Sequence, residues 1–148
     1  EIYDLLVAPT EKCGFITNTR HGFTLGASPD WLVGAEGGAE NKSRSQRFQV
    51  QTTVECAAQG TIPAEFMLQV QTQLLVTERA WWDFCSFSNG MHMTVTRVYP
   101  DAEIHSRIIE AARAFEASVS EAMQAYQAHI ATSDRVFATE WKERLEVL

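Results

Sequence analysis

Between residues 14 and 43, two clusters of turn-forming residues at 18–22 and 34–38 cut the chain into apolar pieces too short to be helices. Gly14-Phe15-Ile16-Thr17, the segment 23–27 and Trp31-Leu32-Val33 are each of strand length, and Ala39 to Ser43 can run back as a further strand after the Gly-rich turn. The first third of the molecule is therefore sheet. A sheet of such short pieces must bury one face against another element.

That element follows in the sequence. Phe66, Val70 and Leu74 recur at i, i+4 and i+8 with Met67 and Leu75 beside them, which predicts an amphipathic helix over 62–76. Thr61 is placed to cap it, with Pro63 in its first turn. The aromatic run 81–87 and the alternating segment 93–99, joined through Ser88-Asn89-Gly90, read as two neighbouring strands. Pro100-Asp101 ends the second strand and caps a long helix. Ile104, Ile108, Ala111, Phe115, Val119, Ala122 and Tyr126 form its apolar stripe, stepping by 4, 3, 4, 4, 3 and 4. This helix is expected to pack on the sheet, with a subunit contact as the alternative. Residues 43–60 read as mixed loop and helix, and 134–148 as a further short helix.

The order of strands, helix, strands and long helix predicts a mixed α/β fold, with one domain over 1–148. Residues 1–6 resemble the last turns of a helix, so a preceding helical segment is expected.

Composition narrows the function classes. The 45% hydrophobic and 21% charged residues exclude a disordered chain. No apolar run approaches the roughly 18–20 residues needed to span a bilayer, and no membrane partner is expected. Cys13, Cys56 and Cys85 are odd in number and far apart, against a disulfide framework or a zinc site. They fit a reducing, cytoplasmic setting. The net charge of −7 disfavours nucleic-acid coating through bulk charge. It leaves open an enzyme that meets phosphates through metal ions.

The chemistry concentrates in 28–42. With the turn centred on Ala35, Asp30 and Glu40 are each five residues from it and face one another. Opposed residues on antiparallel strands have Cβ atoms about 4.5–5.5 Å apart. Two carboxylates that close repel unless a cation lies between them, which suits a hard divalent ion. Lys42 shares the face of Glu40 by the period-2 rule, and the Asn41 carbonyl is free to add a hard oxygen. Two acids, a carbonyl and a lysine on one face suit metal-assisted phosphodiester hydrolysis, with Lys42 orienting or deprotonating the water. The same residues also suit a solvated surface hairpin, since Ser-Pro-Asp and Gly-rich tips are common turn chemistry.

Ser28-Pro29-Asp30, ten residues ahead of Glu40-Asn41-Lys42, resembles the PD-(D/E)xK nuclease signature. With Phe66-Met67-Leu68-Gln69-Val70-Gln71 behind it, the segment is similar to the lambda-type alkaline exonucleases, or YqaJ-like viral recombinases. Their helix reads Y-x-x-Q-V-Q. The stretch from Leu75 to Phe84 also resembles that family's hVTgr-x-W-x-df segment.

The resemblance implies a restriction-endonuclease-like core, a mixed central sheet flanked by helices. It implies Asp30, Glu40 and the Asn41 carbonyl as Mg²⁺ ligands, with Mn²⁺ able to substitute. Lys42 would be the catalytic lysine, and Gln69 the glutamine near the nucleophilic water. The implied activity is 5′→3′ digestion of one strand of duplex DNA in phage or prophage recombination, by a ring-shaped homotrimer serving a single-strand annealing protein. An inactive remnant and an endonuclease on the same core are the alternatives. This chain departs from the pattern at Phe66, where the family has Tyr, and at Asn41, where a hydrophobic residue is common. Arg20 stands where some members carry a further acid. The family's phosphate-receiving helices would precede Glu1.

Other candidates are weaker. His21, His92, His105 and His129 form no ligand pattern and read as structural or solvent-facing. Trp81, Trp82, Phe84 and Phe87 could stack on bases, although strand spacing favours core. Gln71 and Gln73 read as solvated helix positions. Arg44 and Arg47 crowd behind Lys42, where a DNA backbone could pass.

Overall fold

A computed structural model describes residues 2–139. The chain divides into two compact units, 1–113 and 114–148. No helix among the described residues is long and apolar enough to cross a membrane.

The first unit opens on α1 (Ile2–Leu6), which buries Tyr3. β1 (Ile16–Asn18) and β2 (Leu25–Ala27) pair antiparallel as a small ribbon. Its turn places Gly22 at φ 86°, a conformation that glycine adopts without a Cβ penalty. A second sheet has the order β3-β4-β5-β6, formed by Trp31–Val33, Gly37–Ser43, Trp81–Phe87 and Thr94–Val98. β4 runs antiparallel to β3 and parallel to β5, while β5 and β6 form the expected antiparallel pair. The sheet is therefore mixed. Its parallel step needs a long crossover, which carries α2 (Gln46–Gln51) and α3 (Ala64–Thr77).

Alternation along β5 sorts the core onto two faces. Trp82 and Phe84 pack with Val70 and Leu74 of α3, Ile62 and Val98. Cys85 packs on the other face with Tyr3, Val33 and Ala39. Each large apolar side chain buried in this way contributes about 1.5–3 kcal/mol. Burial also pushes the Cys85 thiol up to about 12, so it behaves as a packed apolar group.

Several boundaries differ from the sequence expectation. β4 starts at Gly37, inside the segment read as turn, because Gly37 and Gly38 are ladder residues opposite Trp81 and Trp82. A Cβ at either position would collide with the indole beside it. α3 starts at Ala64 with Pro63 at the N-cap position, and Thr61 donates its hydroxyl to the Cys56 carbonyl instead of capping. The stretch read as mixed loop and helix is helical from Gln46: α2 runs on through a π-turn over Thr52–Cys56 and a 3₁₀ turn over Ala57–Gln59. Buried Gln49 anchors it, donating Nε2 to the carbonyls of Ser86 and His92 and accepting the Ser86 hydroxyl.

α4 (Ala102–Thr132) is capped as expected by Asp101, whose Oδ1 accepts the N–H groups of Glu103 and Ile104. It buries no residue, and Phe115, Val119 and Tyr126 of its stripe are exposed, as is Met123. Within the first unit, Ile104 and Ile108 of the stripe are half-buried. Of the helix expected over 134–148, residues 134–139 are non-helical and the remainder lies outside the described residues.

Candidate active site

The β3–β4 register pairs Trp31 with Ala39, Leu32 with Gly38 and Val33 with Gly37. Every pair is symmetric about Ala35; the ladder ends at Trp31–Ala39, and Asp30 and Glu40 are the next residues outward. The Asn41 backbone N–H donates to Asp30 Oδ2 at 2.8 Å and fixes that end of the hairpin. Because the N–H and C=O of one strand residue point to the same edge, the Asn41 carbonyl is directed to the Asp30 side.

Glu40 lies on the α3 face of the sheet in register with Phe84, and it is buried. Lys42, two residues on, brings its ammonium to 2.5 Å from Glu40 Oε1. Gln69 Nε2 donates to the same oxygen at 2.7 Å. Lys42 and Gln69 thus meet on one oxygen of Glu40, and Asp30 lies close enough to feel the charges of Glu40 and Lys42.

Two further residues differ from the sequence expectation. Gln71 and Gln73 are buried, although a glutamine on a helix reads as solvated. Gln73 Nε2 donates to Glu40 Oε2 at 2.6 Å. Gln71 takes the N–H of Asp101 and donates to the Tyr99 carbonyl, tying α3 to the β6–α4 connection. The signal that could have found them is position: they flank Val70 and Leu74, the two most buried residues of the stripe.

Phe66 stacks on Phe84 with centroids 5.2 Å apart and serves as a platform for cations. Lys42 Nζ lies 5.2 Å and Arg44 Cζ 4.9 Å from its centroid, within cation–π range. Arg44 is also ion-paired to Glu65 at 2.9 Å, and Arg47 lies beside the Phe48 ring. Trp82 and Phe84 are core residues, whereas Trp81 carries the Arg97 guanidinium 3.6 Å from its ring centroid. Arg20 pairs with Glu78 at 2.7 Å.

The residues present suit a hard divalent cation. Desolvation holds the Asp30 carboxyl above its ordinary range; the Asn41 N–H opposes that, the Glu40 charge adds to it and Lys42 offsets it. Asp30 is itself exposed and Glu40 buried, so a cation between them would chiefly offset their mutual repulsion. Among the described residues no group of three or more His, Cys, Asp or Glu side chains converges.

Comparison with known proteins places this chain in a family. The model of the YqaJ-like viral recombinase domain matches residues 7–80, a span that contains Asp30, Glu40, Lys42, Gln69 and Gln73. The solved structure of an alkaline exonuclease from Laribacter hongkongensis, LHK-Exo, is similar at 29% identity and a TM-score of 0.70, covering 82% of this chain and 62% of that one. The structure of LHK-Exo in complex with dAMP matches equally, with the same identity and TM-score. This chain therefore spans less than two thirds of the length of that exonuclease. No curated protein matches it.

Proposed function

Because the chain belongs to the YqaJ-like viral recombinase domain family, we propose that it is a metal-dependent deoxyribonuclease that digests one strand of linear duplex DNA from the 5′ end. The observation that carries this reading is the convergence of Lys42 and Gln69 on Glu40, beside Asp30. The similarity to an exonuclease solved with a nucleotide supports DNA as the substrate.

Asp30, Glu40 and the Asn41 carbonyl would hold Mg²⁺, for which Mn²⁺ can substitute. Bound there, the ion supplies Lewis acidity to water and charge neutralisation to phosphate. Hydrolysis forms a bond from water oxygen to phosphorus and breaks the P–O3′ bond, with a proton passing to the leaving oxygen. Lys42 Nζ, held beside Glu40, orients the water, moves its proton and offsets charge on the phosphate. Gln69 keeps Glu40 oriented and directs its amide toward the attacking water. Arg44 and Arg47 offer positive charge along the backbone behind the site.

The family reading extends to a homotrimeric ring threaded by duplex, to a single-strand annealing partner, and to work in the cytoplasm during phage-type recombination. Light scattering of the purified protein tests the ring.

The activity itself is tested with linear duplex labelled at either the 5′ or the 3′ end, alongside covalently closed circular duplex, each with Mg²⁺. Early release of the 5′ label with the circle left intact is expected. Cutting of the circle would replace the exonuclease with an endonuclease on the same core. No cleavage of any substrate would make the domain an inactive remnant that only binds DNA or a partner subunit.

A further inference from the structure

We propose that Gln73 is a positioning residue that fixes the Glu40 carboxylate for metal binding; this rests on the nuclease reading of the site. Glu40 has two oxygens and three donors. Lys42 Nζ and Gln69 Nε2 take Oε1, while Gln73 Nε2 alone takes Oε2, at 2.6 Å. Gln69 and Gln73 are one helical turn apart on α3 and face the same way. The helix therefore grips the carboxylate by both oxygens and sets its rotation about the Cγ–Cδ bond.

The Gln73 amide can sit only one way round. Reversed, its carbonyl would face a carboxylate oxygen, acceptor against acceptor. In the observed orientation Oε1 is buried with no hydrogen-bond donor among the described residues, a cost that persists because Nε2 is committed to Glu40. Gln73 is 2% exposed, yet with Gln69 and Ser28 it lines a cleft of about 530 Å³. Partners that orient a metal ligand are worth about 10–100-fold in affinity.

Two measurements test this. Calorimetric Mn²⁺ titration of Gln73→Met, which keeps the side-chain volume, should show affinity at least tenfold weaker than wild type, with lost DNA cleavage partly restored at high Mg²⁺. In the wild-type protein, NMR should show the Gln73 side-chain amide shifting on Mg²⁺ addition while the Gln71 amide, bonded to Tyr99, stays in place. A variant that binds Mn²⁺ like wild type, or a Gln73 amide that ignores Mg²⁺ while the protein binds it, overturns the assignment and leaves the nuclease reading standing. A wild-type protein that binds neither metal overturns that reading and the role of Gln73 with it.

Discussion

The Asn41 backbone N–H donates to the Asp30 carboxylate at 2.8 Å, joining a residue just outside β3 to the strand that carries Glu40 and Lys42. This bond holds one acid at a fixed place while leaving its second oxygen available to a cation.

Asp30→Asn separates that structural part from the chemical one. The amide oxygen can still accept from Asn41, and a group whose carboxyl is held above its usual range by desolvation loses nothing by becoming neutral. Stability should be unchanged within about 0.5 kcal/mol or slightly higher, as read by denaturant melts. Mn²⁺ binding should be abolished. Retained binding would remove Asp30 from the metal set.

Gln71 is the corresponding test of the scaffold. It satisfies the Asp101 N–H and the Tyr99 carbonyl, both at 2.9 Å. Gln71→Leu leaves two backbone groups without their partner, at about 1–3 kcal/mol each where buried. A loss of about 2–4 kcal/mol in chemical denaturation is expected, with Mn²⁺ affinity of the folded variant unaltered.

The partners of Gln71 and Gln73 mark the limit of what local sequence rules carry. Asp30, Glu40 and Lys42 were legible because hairpin symmetry and strand alternation are local rules, and the observed register obeys both. Gln71 and Gln73 were not, because their partners lie 28 to 33 residues away and helix periodicity does not reveal what a polar flank will meet. Gly37 and Gly38 read as turn for a similar reason: only the register against Trp81 and Trp82 shows that they are strand positions lacking room for a Cβ. The stripe on α4 correctly marked a helix. Periodicity states that a helix has an apolar face and is silent about what covers it.

On the face of the sheet away from Glu40, Asp83 is 1% exposed and held by the Tyr3 hydroxyl at 2.6 Å and by two bonds from Arg97 at 2.8 Å. Breaking a buried pair from one side costs about 3–5 kcal/mol. Since the Arg97 side chain is 42% exposed, Arg97→Ala should fall at the lower end, about 3 kcal/mol by denaturant melt. Arg107→Ala, which removes a fully surface pair with Glu103, should leave stability unchanged.

His105 makes stability depend on pH. Desolvation lowers its pKa below the usual 6.5, against a hydrogen bond to the Gln71 backbone and the charge of Asp101, and its Nε2 is buried without a hydrogen-bond partner among the described residues. The unfolded chain therefore binds a proton more readily than the fold does. This group's contribution is present above about 6.5 and is lost as pH falls below it. Melting temperatures from pH 8 to pH 5 should drop more steeply for wild type than for His105→Gln; parallel curves would contradict the assignment.

We propose for Lys42, held 2.5 Å from Glu40, a role in phosphodiester hydrolysis. It is tested most directly by Mg²⁺-dependent release of acid-soluble nucleotides from linear duplex by wild type and by Lys42→Ala. We expect release by wild type and a fall of about 10²–10³-fold in the variant, with Mn²⁺ still bound. Equal rates from the two proteins would contradict the account.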